Sequence, residues 1–471
     1  MTEIDYITTD NQIRGELLEC RRLFTRAVTD ISAYDTWEKI VQDYPGFQRE
    51  LFKTHKVALK ILVDRILELE GLLSETTGAA HPRSPDARTL KLHFWKRVLE
   101  SSYNAFVWIY VGMDRSNAAR VFKGAKHGDL ADQNVASVLH YANEVNEDPN
   151  RLAIPLDFCS FAPISDVLQI TYSETENVRR TEFYEIKSGK VNHEMVQAID
   201  AGTLDAYVKF FDTYGERGIK QMERYFRQLS IFHKSHKLIN ARPGIYENPE
   251  SGREPIIVLP NEAKVVHFHE KIIELLERAE RGEFAVDVID NCLVVGAFNG
   301  DAKNTQLLGE YDLRLYIYNG FLNPAAFLNR EPYPDDIAKV LWDIGLTDWI
   351  EGVSSVVLEP ILLRKFPDRH VVDLLLGKKR LRFFFSPESF VALCNHTGLK
   401  AEVTTTKQAN RLRSSGPKKG LAQFDGRFVR LFLGDAVGTL GDGLLHEMLF
   451  NWVRPASIIE QMKQHKLTPL S

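Results

Sequence analysis

Apolar residues recur at helical spacing from about residue 11 to 73, as in Leu59, Leu62, Val63, Ile66 and Leu73, with charges filling the other face. Pro45 is expected to break this stretch into separate helices. Ser74 to Ala87 is small, polar and proline-bearing, which predicts a surface loop. A helical pattern resumes at Thr89, and Leu90 to Phe122 concentrates Phe94, Trp95, Phe106, Trp108 and Tyr110, residues that normally fill a core. These segments predict an all-helical N-terminal domain over residues 1–128.

Asp129 to Glu147 reads as another amphipathic helix, with Val135, Val138, Leu139, Ala142 and Val145 on one side and Pro149 stopping it. Three β-like runs follow at Leu152–Phe161, Ile164–Tyr172 and Thr181–Lys187, with Ser173–Asn177 as a hairpin-like connection. Asn192 to Lys237 is helical again, in two pieces around Gly215 and Gly218. Ile239 to Pro255 is rich in Pro, Gly and Asn and reads as an excursion or linker. A helix over Ala263–Arg281 leads into Val286–Phe298, read as the next strand of the same sheet. Beyond it lie strand candidates at Leu313–Tyr318 and Leu381–Phe385 and helices near Tyr333–Leu341 and Gly443–Trp452.

Length changes this picture by requiring more than one core, because 471 residues exceed the size at which a single core stops growing. A hydrophobic fraction of 44% and a charged fraction of 26% are those of a folded globular chain. The formal net charge of −5 gives no global attraction to nucleic acid, so any such binding must use local basic patches. Cys20, Cys159, Cys292 and Cys394 are scattered without zinc-ligand spacing and read as reduced thiols. Neither an apolar leader nor a run of roughly 18 apolar residues is present, so a cytoplasmic chain without membrane contact is expected.

The chemistry concentrates on two strands. Asp166 opens one β-like run and Glu185-Ile186-Lys187 ends the next. Residues two apart on a strand share a face, so Glu185 and Lys187 stand together, and hairpin pairing brings Asp166 to them. Two carboxylates suit Mg²⁺, with Mn²⁺ as a substitute, since this ion takes one or two protein carboxylates and completes its shell with water and phosphate oxygens. The carbonyl of Ile186 is a further candidate ligand. Lys187 either orients or deprotonates the attacking water, or neutralises the charge that develops on phosphorus. Basic residues gather around this group: Arg179, Arg180, Lys190, Arg224 and Arg227, then Lys234 and Lys237, all suited to phosphate contact.

This order of residues resembles the PD-(D/E)XK nuclease superfamily, in which an Asp precedes a Glu-x-Lys strand; Ser165 stands here where the family nominally has Pro. The resemblance implies an α-β-β-β-α-β restriction-endonuclease-like core over residues 129–298, between the helical domain and a mixed α+β region at 299–471. Gln221 and Tyr225 resemble the Q-x-x-x-Y motif of the RecB-like members, and the resemblance assigns them supporting roles beside the centre. It also implies an added acid on the preceding helix, for which Glu144 is the natural candidate, with Glu147 one turn later. The implied activity is metal-dependent hydrolysis of DNA, in the setting of prokaryotic restriction or phage defence; a homo-oligomer is expected on a separate ground, because an acidic chain with a local basic cleft binds nucleic acid weakly unless oligomerisation or a partner joins several basic patches. A ribonuclease of the same fold, or a non-catalytic interaction protein, remains the alternative.

Other groupings point elsewhere. Lys378 to Arg382 precedes Phe383-Phe384-Phe385, which reads first as a buried strand and otherwise as a surface for stacking bases, and Lys407 to Gly420 reads as a polar basic loop suited to phosphate contact or solvation. His267 and His269 lack a metal-binding spacing, and the glycine-rich Gly434–Gly443 lacks the Lys-Ser/Thr of a phosphate loop and reads as turns.

Overall fold

The computed structural model describes residues 3–29, 37–77, 87–111, 133–159, 165–186, 190–239, 244–246, 256–258, 266–282, 284–299, 342–345, 366–376, 378–414, 426–433, 436–440, 442–449 and 452–464. The fold is mixed α and β, and its sheets are antiparallel. It divides into two compact units at the boundary between Leu259 and Pro260.

The first unit begins with α1 (Glu3–Thr29), α2 (Trp37–Gln42), α3 (Tyr44–Thr77) and α4 (Ala87–Val111). Asp43 caps α3 by accepting the Gly46 amide at 3.0 Å, which leaves Pro45 in the first turn, where its missing N–H costs nothing. Pro45 therefore starts a helix as well as ending the segment before it. The aromatic-rich stretch is core: Trp95, Tyr103 and Phe106 are fully buried with Leu17, Phe52, Leu62 and Ile66.

α5 (Gln133–Asn146) leads into β1 (Arg151–Pro155), β2 (Val167–Ser173) and β3 (Val178–Tyr184), an antiparallel sheet in that order. Asn177 takes a left-handed φ of 52° in the β2–β3 turn and accepts the Tyr172 hydroxyl at 2.7 Å. One face of the sheet packs α5: Ala153 and Val167 form a buried cluster with Val138 and Ala142, with Tyr184 and Ile186 against it. The opposite face meets the N-terminal helices, Tyr44 packing edge-on to Tyr172 at 5.6 Å and Arg179 lying over the Tyr110 ring at 5.4 Å. Tyr103 also donates to the Pro155 carbonyl at 2.7 Å. The helices of residues 1–128 and the sheet thus share one unit.

α6 (Lys190–Ala201) and α7 (Leu204–Ile239) form a helical hairpin around Met195, Ala198, Phe210 and Met222, and a ribbon of β4 (Gly244–Tyr246) and β5 (Ile256–Val258) follows. α7 is kinked at Gly215, whose φ of 53° and ψ of −138° are open only to glycine.

The second unit contains α8 (His269–Gly282), β6 (Phe284–Ile289), β7 (Leu293–Asn299), β8 (Trp342–Gly345), α9 (Asp368–Leu375) and β9 (Lys379–Phe385). Its sheet runs β6-β7-β9-β8. Val286–Phe298 is therefore not the fourth strand of the β1–β3 sheet. It is a hairpin whose turn residues Asp290 and Asn291 have φ of 48° and 58°, and β7 pairs on its other side with β9. Phe383, Phe384 and Phe385 are buried in β9, at the centre of this sheet, so they offer no stacking surface.

The unit ends with α10 (Pro387–His396), β10 (Ala401–Val403), α11 (Thr406–Ser414), β11 (Val429–Leu433), β12 (Ala436–Thr439), α12 (Asp442–Leu449) and α13 (Pro455–Gln464). The expected loop at 407–420 is helical over its first half, and β12 occupies part of the glycine-rich stretch. All four cysteines are free and buried, and no described helix is long and apolar enough to cross a membrane. The elements expected at Leu313–Tyr318 and Tyr333–Leu341 lie outside the described residues.

Candidate functional site

The β2–β3 ladder ends with Val167 opposite Tyr184. Asp166 and Glu185 lie one residue beyond that last pair, and the Asp166 amide donates to the Tyr184 carbonyl at 3.1 Å. Alternation puts both on the face away from α5, since Val167 and Ile186 face α5. The two carboxylates expected to meet stand at the adjoining ends of β2 and β3, each half-buried.

Asp166 is also held at its carboxylate. Its Oδ2 accepts the Ile186 amide at 2.6 Å, and its own carbonyl accepts the Leu156 amide at 2.8 Å. This charge-assisted bond fixes where the side chain sits at the mouth of the sheet. It occupies the N–H of Ile186, so only the carbonyl of that residue is a candidate ligand. Lys187 lies outside the described residues.

α6 starts three residues after Lys187, and its hairpin with α7 returns the chain to this end of β3. Gln221 donates through Nε2 to Asn192 Oδ1, in the first turn of α6, at 2.7 Å. Tyr225 packs with the α6–α7 core. Its phenol is raised above the usual tyrosine range by burial first, then by the charges of Asp200 and Glu185. Glu185 is thus within electrostatic reach of Tyr225. The long stretch between Lys187 and Gln221 is absorbed by the hairpin, which brings the Gln-x-x-x-Tyr pair toward the Asp166–Glu185 end of the sheet. Asn192 is the member that sequence reading missed; its only signal was proximity to Lys187.

Other expected members stand apart. Glu144 is exposed on α5, which packs the other face of the sheet, and pairs with His140 at 3.4 Å. It cannot meet Asp166 there, because the β-sheet separates them; Glu147 is exposed in the turn after the same helix. Arg179 and Arg180 lie at the hairpin end of β3, some five residues from Glu185 and so about 17 Å away along the strand. Arg179 stacks on Tyr110, and Arg180 pairs with Glu176. Lys190 opens α6, and Arg224 and Arg227 stand on α7, as do Lys234 and Lys237; their side chains lie outside the described residues.

Among the described residues no group of three or more His, Cys, Asp and Glu is placed to hold a metal ion. His267 and His269 have ring centroids 6.3 Å apart, and His267 forms a β-bridge with Val453. What the site offers is a pair of carboxylates, a donor set suited to a hard cation that keeps most of its shell for water and substrate. No family profile, characterised protein or solved structure matches the chain.

Proposed function

We propose that the first unit is a metal-dependent nuclease that hydrolyses DNA phosphodiester bonds at Asp166, Glu185 and Lys187. The observation that carries this reading is that Asp166 and Glu185 each stand one residue beyond the last β2–β3 pair, with the Asp166 carboxylate anchored on the Ile186 amide. Two carboxylates at adjoining strand ends are a donor set suited to one shared hard cation.

Asp166 and Glu185 would hold Mg²⁺, or Mn²⁺ in its place, with the Ile186 carbonyl as a further oxygen. The ion supplies Lewis acidity toward the phosphoryl group and a bound water of lowered pKa. Asp166 contributes a carboxylate that needs no reorganisation, because its backbone partner is already in place. Lys187 supplies a compact cation that positions the attacking water or offsets charge developing on phosphorus. Tyr225, protonated throughout the neutral range because its phenol is shifted upward, acts as a hydrogen-bond donor rather than an anion. Gln221, oriented by its bond to Asn192, would contact substrate as the Q-x-x-x-Y resemblance implies.

The finer description, a restriction-endonuclease-like core, rests on the order α5-β1-β2-β3-α6 and on the Asp/Glu-x-Lys and Gln-x-x-x-Tyr patterns. The fourth strand of that architecture is not supplied by residues 284–299. Incubation with supercoiled plasmid and with RNA tests the reading. We expect nicking or linearisation of plasmid with Mg²⁺ and Mn²⁺, none in chelator, and intact RNA. Cleavage that persists in chelator, or of RNA alone, contradicts it.

A further inference from the structure

Residues 386–440, in the second unit, differ electrostatically from the rest of the chain. They hold eight Lys and Arg against four Asp and Glu, while the whole protein has 59 against 64. A chain with net negative charge that binds a polyanion must do so through such local excess.

These residues build a small platform. Ser386 caps α10 by accepting the Ser389 amide at 3.2 Å, with Pro387 in the first turn. Phe390, Cys394, Leu399, Ala401, Val429 and Leu431 are buried between α10 and the sheet β10-β11-β12. The Asn395 amide clamps β10, donating to the Ala401 carbonyl at 3.0 Å and accepting its amide at 2.9 Å. α11 then begins on a reciprocal cap: Thr405 Oγ1 accepts the Gln408 amide at 3.3 Å, and Gln408 Oε1 accepts the Thr405 amide at 2.8 Å.

α11 turns Ala409 inward, fully buried, and leaves Lys407, Asn410 and Arg411 exposed. Positions i, i+3 and i+4 lie on one helical face. That face thus presents two cations with an amide beside them, and residues 406–414 contain no acid. Glu388 pairs with Arg427 at 3.3 Å and Glu402 with Arg430 at 2.9 Å. The aromatic of the outer sheet face, Phe432, is half-buried, with Lys400 at 4.7 Å and Arg430 at 5.3 Å from its ring. It is not an open platform for unstacked bases.

We infer that α11 is a docking helix for duplex DNA, placing Lys407 and Arg411 on backbone phosphates and Asn410 toward base edges, as a contact distinct from the Asp166–Glu185 centre. A short, polar, non-aromatic helix with this side-chain set matches the width and the donor and acceptor pattern of the major groove. The inference rests on the nuclease reading only for its choice of DNA as the polyanion.

Binding of a short fluorescent DNA duplex by the full chain, followed in chelator across a salt series, tests it independently of cleavage. The Lys407→Ala/Arg411→Ala variant should bind about tenfold or more weakly, with the slope of log affinity against log salt shallower by about 2. Lys60→Ala, at an exposed position of α3, should bind as the wild type does, and Lys407→Arg/Arg411→Lys should retain the slope. A thermal midpoint equal to that of the wild type excludes unfolding as the cause; should the double variant unfold, Lys407→Gln alone should flatten the slope by about 1. Wild-type affinity and slope in a folded double variant overturn the inference, as does an equal loss on single-stranded DNA or RNA. If only the nuclease reading fails, cleavage is absent while the slope change remains.

Discussion

Asp166 shows how one side chain serves structure and chemistry together. Its carboxylate closes the open end of the β2–β3 ladder by taking the Ile186 amide, and the same group is a proposed metal ligand. His55 makes the opposite use of burial. It is fully enclosed, with Nδ1 2.6 Å from the Tyr110 hydroxyl, and burial pulls its pKa down to about 3. In the folded protein the ring stays neutral, while in the unfolded chain it takes a proton below about pH 6.5. Its contribution is therefore intact above that pH and lost as pH falls toward 3, at about 1.4 kcal/mol per unit. Between pH 7.5 and 5.0 the wild type should lose about 2 kcal/mol more than His55→Gln, measured by urea unfolding. Equal losses in the two proteins would show that His55 does not carry this dependence.

At the scale of elements, Gly215 sets the direction of the second half of α7, and so the placement of Gln221 and Tyr225. No side-chain or backbone atom lies within 4 Å of where a Cβ would stand, so the cost of Gly215→Ala comes from its backbone angles alone. We expect about 1–3 kcal/mol of lost stability and reduced cleavage from that substitution. Full stability together with full activity would mean the kink does not position the motif. Sequence periodicity located nearly every helix and strand that builds this site, because each is long, strongly patterned and bounded by Pro, Gly or polar turns. It failed where the signal was local chemistry rather than pattern. Asp290-Asn291 makes a left-handed hairpin turn without the usual glycine, so β6 and β7 read as one strand. α11 was masked by its polar composition, although Thr405-x-x-Gln408 spells a capping box in the sequence. Which sheet β7 joins was invisible, because its partner β9 lies some eighty residues further along.

Over the whole molecule, the carboxylate pair and the basic platform belong to different compact units. The Pro-, Gly- and Asn-rich stretch Ile239–Pro255, an excursion or linker by composition, ends just before the boundary after Leu259, whereas the domain expected over 129–298 runs across it. A net-acidic chain gains affinity for a polyanion when several copies of a local basic surface act together. The proposed nuclease is accordingly expected to be a homo-oligomer. Light scattering of the purified protein should give a multiple of 53.8 kDa. A monomer with full activity at physiological salt would contradict that expectation.

The central claim is that Asp166 and Glu185 act as one metal-dependent centre. Its most direct measurement is the Mg²⁺-dependent cleavage rate of supercoiled plasmid by wild type and Glu185→Gln at matched thermal stability. A loss of about a hundredfold or more is predicted, the scale expected when a group stabilising transition-state charge is removed. A folded Glu185→Gln protein that cleaves at the wild-type rate would contradict it.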